Sequence, residues 1–378
     1  MSQNTNLASR PNKKTAKNKL VLKMFLFVGV FSLTLPLSIS WAQPVSPPKG
    51  PDTIIPTQDA LPPDVETAIK AAPKTEDVFS VNGDAPFAGQ ILKTGIITFQ
   101  PNSRLVITNF NYPYVVILAD KIQFVDSTSN NQIVAENGWL PTTYVTPPQP
   151  PAQGKSPKPG SDCSHGGGDG PAGANGRPGF AGHNGDNAPQ IPKIYLITNG
   201  LVDELGRPLP EALHLSFIVN GLDGGNAADG GQGGDAGIGG DGADGSYNTA
   251  FLNPHCNCGA RSGGTGGIGG QGGAGGVGGS AGSGGDLVWI APEDVINSLT
   301  YSPIQHRPGV PGNGGDSGNS GASGDGGARG AHPGTCEGGL PGAMPDTPQT
   351  PFTTSRSGNI GRDGLINAQI DNNIERLF

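Results

Sequence analysis

Three textures follow one another along the apolar positions of the chain. The first is one apolar run, Met24 to Ile39, preceded by basic residues and followed by Ser40-Trp41-Ala42. The second is a set of short runs rich in β-branched and aromatic residues: Ile96 to Phe99, Arg104 to Thr108, Tyr114 to Val125, Lys193 to Thr198, Leu201 to Leu205, Leu215 to Asn220 and Leu287 to Ala291. Runs of this kind between Asn, Gly and Pro breaks predict strands. YVVILADKIQFV is too long and too apolar for one plain strand, so a bend is expected near Ala119-Asp120. Asn199-Gly200 reads as a hairpin turn. Asp64 to Ala72 predicts a short helix, capped at Asp64 and stopped by Pro73. Short strands at such spacing suit the rungs of a β-solenoid or a small β-sandwich, and the pattern does not choose between them.

The third texture has almost no apolar residues and a period of three. Gly263 to Gly285 reads GGTGGIGGQGGAGGVGGSAGSGG, glycine at two of every three positions except Ala281. Three is neither the helical nor the strand period. It is the period of polyproline II, which has no internal hydrogen bonds, so its buried backbone groups need partners from outside. Two bare backbone rows therefore predict similar neighbours on two sides. Gly167 to Asn187, Gly221 to Gly245 and Gly309 to Gly330 share the period. At about 3.1 Å per residue each of the four stretches spans roughly 65–75 Å. The middle two carry two small-residue rows and the outer two one strict row, as expected of inner and outer members of one array. Unbroken phase and matched length argue against a flexible linker, and the GG-x pattern without proline argues against a collagen triple helix.

On these repeats the chain resembles the polyglycine-II helical bundle proteins, which include the glycine-rich tail-fibre-tip adhesins of T-even-like phages and the springtail antifreeze protein. The resemblance covers roughly the second half of the chain. It implies antiparallel helices within one chain and, by the phage adhesins, loops at the far end that contact a receptor. The fold expectation is thus mostly β and polyglycine-II: a β base carrying an antiparallel four-stranded bundle. Its parts are a signal peptide (1–42), a proline-rich spacer (43–73), an N-terminal β region (74–140), a proline-rich linker (141–162), the bundle with β connectors (163–340), and a proline-rich tail with a C-terminal segment (341–378).

Antiparallel order puts every apolar connector at one end of the bundle and all four cysteines, Cys163, Cys256, Cys258 and Cys336, at the other. Glycine loses much conformational freedom on ordering and buries little apolar area, so such an array needs both ends pinned. Two disulfides would pin the far end, with three connectivities open. His165, His255 and His332 beside these cysteines also make a possible zinc set, but an exported chain favours disulfides.

Charge and composition narrow the classes. Arg10, Lys13, Lys14, Lys17, Lys19 and Lys23 before the apolar run mark a secretory signal peptide. Its removal leaves 17 basic residues against 31 acidic ones in the mature chain. That balance repels nucleic acid. No second apolar span follows, so no membrane-spanning segment is expected after cleavage. No catalytic motif, cofactor site or metal site is evident; neighbouring aspartates in the row from Asp223 to Asp244 lie roughly 9 Å apart, too far to share one calcium, and read as a solvated acidic face. The expected function is a secreted or cell-surface, non-enzymatic structural or adhesive protein whose partner is a surface glycan or protein. The alternative is a polysaccharide-acting β-solenoid enzyme, with Asp120 and Asp126 as carboxylates and the glycine array as scaffold. The candidate binding tip comprises Tyr247, Phe251, Leu252, His255, Arg261, Arg329 and His332, because aromatic and arginine side chains are the usual anchors of binding surfaces.

Overall fold

Each β-branched run pairs in parallel with the run one turn before it, so apolar side chains stack along the molecule. The computed structural model describes residues 56–57, 61–209, 215–348 and 355–378; the signal-peptide segment and His214 lie outside these residues. The strands are β1 (Pro56–Thr57), β2 (Glu76–Val81), β3 (Asp84–Phe87), β4 (Ile91–Phe99), β5 (Arg104–Ile107), β6 (Tyr114–Phe124), β7 (Asn131–Ala135), β8 (Lys193–Asp203), β9 (Leu215–Ile218), β10 (Ser246–Asn248), β11 (His255–Cys258), β12 (Leu287–Ala291), β13 (Ile304–Gln305) and β14 (Ile366–Ile370). One parallel sheet has the order β1-β14-β12-β8-β6-β4-β2 and a second has β13-β9-β7-β5-β3. From β2 to β9, and again from β12 to β14, successive strands alternate between the two, so each turn of the chain adds one strand to each sheet; β10 and β11 pair only with each other.

Leu92, Phe99, Leu105, Ile107, Ile117, Phe124, Phe217 and Trp289 form the core, with Phe99 stacked on Phe124 at 5.7 Å and Phe217 against Trp289 at 5.5 Å. The other face of the larger sheet is covered too. Val65 and Ile69 of α1 (Pro63–Ala71), with Ile374 and Leu377 of a C-terminal 3-10 turn, pack on Val116, Leu118, Tyr195, Ile197, Val288 and Ile290. A strand covered on both faces needs no alternation, which is why Val115 to Ala119 is wholly apolar and buried. Helix α1 begins at Pro63, where a missing N–H costs nothing, and Asp64 sits inside its first turn with no capping bond from the N-cap side chain.

Pairing along the long strands skips Asp77, Gly95, Asp120 and Asn199, one in each of β2, β4, β6 and β8. The irregularity expected near Ala119-Asp120 is thus a corner repeated over four turns. The expected hairpin at Asn199-Gly200 is not formed. β8 runs straight through, Gly200 pairs with Lys121, and the Asn199 side-chain amide donates to Asp120 Oδ1 at 2.8 Å. Gly95 is required at the corner, since a Cβ there would sit 2.8 Å from the Asp77 carbonyl oxygen.

Three long excursions leave the β base, between β7 and β8, β9 and β12, and β13 and β14. Each runs out and returns, giving six arms: residues 139–159, 167–190, 221–245, 263–285, 309–330 and 340–364. Within 340–364, residues 349–354 lie outside the described set. The count differs from the expected four, because the stretch read as a linker (141–162) and the start of the stretch read as a tail (341–378) also run beside the glycine arms. The Gln153 N–H donates to Asp235 O, and Gly263, Gly266, Gly278 and Gly284 donate to Leu340, Ala343, Arg356 and Arg362. Proline presets the extended φ of such an arm, and its missing donor is tolerated where an arm has neighbours on few sides.

The arms bond at every third residue. Outgoing arms lie side by side in parallel, as Gly230, Gly233 and Gly239 donate to Asp316, Asn319 and Asp325. Returning arms do the same, as Gly176, Gly179 and Gly182 donate to Ile268, Gln271 and Ala274. Antiparallel bonding, expected throughout, occurs only between outgoing and returning arms: Gly234 to Arg177, Gly270 to Gly234, Gly321 to Gly270. The third and fourth arms each bond to four others, so their two small-residue rows match an inner position. A further row of N–H groups is met by side chains. Asp223, Asn226, Asp229, Asp235 and Asp241 accept from backbone N–H groups of the fifth arm, and Asp244 from Ala331 just beyond it, at 2.7–2.9 Å. The row expected to be a solvated acidic face is therefore also a ladder of acceptors. Among the described residues, no helix is long and apolar enough to cross a membrane.

Candidate functional site

At the end of the arms away from the base, three connections replace the three-residue repeat: 160–166, 246–262 and 331–339. Cys163–Cys258 and Cys256–Cys336 join all three, and no cysteine is free. The zinc alternative is thereby displaced, since disulfide sulfurs supply no thiolate. Asp162 caps the 3-10 turn Cys163–His165, its carboxylate accepting from Ser164 N at 2.9 Å, Ser164 Oγ at 2.6 Å and His165 N at 3.0 Å. The second connection folds as a hairpin, β10 against β11, with its turn at residues 249–254. The turn is fixed by the Ala250 N–H donating to Asn248 Oδ1 and by the Asn253 carbonyl held to His255 Nδ1 at 2.9 Å.

The seven candidate tip residues all lie at this end, but they divide into two kinds. The Tyr247 ring is half-buried against Gly334, whose φ of +61° and lack of a side chain make room for it; an added Cβ would meet the ring at 2.7 Å. The His332 ring, though exposed, lies over Gly338, where an added Cβ would meet it at 3.1 Å. These two close the clasp. Phe251 and Leu252, by contrast, are 98% and 91% exposed at the hairpin turn. His255, Arg261 and Arg329 are also exposed. An apolar pair in full solvent on a cross-linked turn has no packing role here, and the exposed Arg261 and Arg329 lie at the same end of the arms.

Asp162 was not singled out by sequence, although Asp one residue before Cys-Ser-His follows the Asx capping pattern. Hydrogen bonds from Ser164, then from His165, hold its carboxyl at about 2, well below the ordinary 3.8. A carboxyl whose folded value is depressed contributes stability above its unfolded value and loses it as pH falls through the folded one. Amide resonances of Ser164 and His165 should therefore titrate with a midpoint near 2; a midpoint near 4, the free-carboxylate range, would show the cap is not made.

On the base, the two carboxylates of the enzymatic alternative are both engaged. Asp120 accepts from Asn199, and Asp126 holds the following turn through Thr128 N at 2.8 Å and Ser129 Oγ at 2.6 Å. A shallow hollow of about 300 Å³ includes Asp84 and Glu136. Arg104 ties both of these carboxylates, at 3.0 and 2.7 Å. No family model, curated protein or solved structure matches the chain.

Proposed function

We propose that this is an exported surface protein whose arms adopt the polyglycine-II conformation and act as a stiff post, presenting the disulfide-tied hairpin to a glycan or protein on another surface. Three-residue bonding on several sides of each inner arm supports the conformation. The two disulfides fit an oxidising compartment, as the basic and apolar N-terminal pattern does. At about 3.1 Å per residue the arms hold the hairpin roughly 65–75 Å from the base.

The observation that carries the reading is the exposure of Phe251 and Leu252 on a turn braced by cross-links at the outermost point. Binding energy concentrates in a few preorganised aromatic, apolar and arginine groups, and a braced turn loses little entropy when it docks. In the hollow on the base, Asp84 and Glu136 are both paired with Arg104.

The test replaces Phe251, Leu252 and Arg261 with Ser in the mature chain and measures attachment to cells and immobilised glycans. All three side chains are exposed, so folding and disulfide mapping should be unchanged. Attachment should fall about tenfold or more, the scale of losing one or two anchors. Equal attachment by a correctly cross-linked variant would reduce the tip to a clasp.

A further inference from the structure

The acceptor ladder has a second consequence, on the opposite face of the arms. In the outgoing layer it is built mainly from aspartate: Asp223, Asp229, Asp235, Asp241 and Asp244. In the returning layer the same task falls mainly to amides. Asn175, Asn184, Asn187 and Gln190 of the second arm accept from Ile268, Val277, Ser280 and Ser283 of the fourth. Either residue type supplies the single oxygen needed. The choice between them decides what the outer atom offers: a second carboxylate oxygen on one layer, an NH₂ donor on the other.

Near the base, this amide row borders a groove of about 340 Å³ between the second, fourth and sixth arms. Asn184, Asn187, Ser280, Arg356 and Asn359 line it, and no acidic side chain among the described residues does. The Asn184 and Asn187 oxygens are committed to Val277 N–H at 2.8 Å and Ser280 N–H at 2.7 Å. Each amide is thereby oriented, and its Nδ2, with no hydrogen bond to the described residues, is left for the groove. Arg356 is exposed and makes no ion pair among the described residues. Asp186, the nearest acid in sequence, is turned to the first arm, where its carboxylate accepts from Thr142 N and Tyr144 Oη.

We propose that this groove binds a carboxylate-bearing sugar, one uronate residue of an acidic polysaccharide, with the carboxylate on Arg356 and the hydroxyls on the Asn184 and Asn187 amides. A guanidinium pairs with a planar carboxylate through two parallel hydrogen bonds, and oriented amide donors suit sugar oxygens. A chain with 31 acidic residues against 23 basic ones gathers densely charged polyphosphates poorly, whereas a sugar with one charge per residue meets only the local donors. This site is separate from the hairpin tip and stands or falls without it.

The experiment titrates the mature chain with a di- or trisaccharide of uronic acid, with the matching neutral sugar and with inorganic phosphate, by NMR of the Asn side-chain amides and by calorimetry. The uronate should bind and shift the Asn184 and Asn187 NH₂ resonances, at least tenfold more tightly than the neutral sugar, the scale of a charge-assisted contact. Arg356→Gln should remove that preference. Asn184→Asp with Asn187→Asp should abolish uronate binding while the arms stay folded, because Asp fills the same ladder role in the third arm. No uronate binding, or phosphate binding as tightly as uronate, would overturn the assignment, as would a double variant that still binds.

Discussion

Gly272→Val should unfold the arms under conditions in which Gln271→Val leaves them intact. The two positions are adjacent in sequence and opposite in environment. A Cβ on Gly272 would fall on the carbonyl group of Gly318 and lie 2.8 Å from the Asn319 oxygen, all backbone atoms of the fifth arm. Backbone cannot rotate out of the way as a side chain can, so the arms must separate. The bonds from Gly318 to Gly273 and from Gly321 to Gly270 flank the site and would go with the contact. A lost bond between buried groups leaves each unsatisfied, at about 1–3 kcal/mol per group. The total is on the order of 4–12 kcal/mol, comparable to the whole stability of an ordinary domain. Gln271 is exposed in the side-chain row, and its replacement should stay within about 0.5 kcal/mol. Thermal melts and limited proteolysis compare the two directly; equal resistance would mean that the glycine rows are not in contact.

The second large effect belongs to the disulfides. Cys163–Cys258 closes 95 residues and Cys256–Cys336 closes 80. For loops of that length the chain-entropy account gives about 4–5 kcal/mol each, and native bridges commonly measure about 2–4. The arms bury few apolar side chains, so they have little else to offset the entropy that glycine loses. The base has its own core of Phe99, Phe124, Phe217 and Trp289. Reduction, or Cys163→Ser with Cys336→Ser, should therefore raise amide exchange in the outer halves of the arms at least tenfold. The strands from β4 to β8 should keep their protection. Simultaneous loss in arms and base would mean that the two form one cooperative unit.

Sequence made the inner arms plain and the outer ones obscure, for one reason. An arm surrounded by other backbones must be small in two rows out of three, as Gly221 to Gly245 and Gly263 to Gly285 are. An arm at the edge may carry Pro147, Pro150, Arg356 or Ile360, and its period is lost among them. The same holds for the sheets. The buried runs in β4, β6, β8 and β12 announce themselves, whereas β2 and β3 are edge strands, largely exposed, and β3 contains Pro86. Proline there also blocks the pairing of another chain at that edge. The four cysteines could be placed at one end but not joined. Cys256 and Cys258 lie two apart on one strand and so share a face, and only the fold decides which of them meets Cys163. At the tip, Phe251 and Leu252 were legible as candidates, while Tyr247 proved to pack on Gly334. The amide and carboxylate ladders were not legible, because each partner lies 87 or 93 residues away.

Amide hydrogen exchange of the mature, oxidised chain, resolved by residue, tests the central claim of an ordered array most directly. The amides of Gly264, Gly267, Gly270, Gly273 and Gly276 donate to the third arm, and those of Gly315, Gly318, Gly321 and Gly324 to the fourth. All nine should exchange orders of magnitude more slowly than free glycine peptides, with protection repeating every third residue. Exchange of these amides at free-peptide rates, with the base still protected, would contradict the account and leave the glycine stretches as flexible linkers.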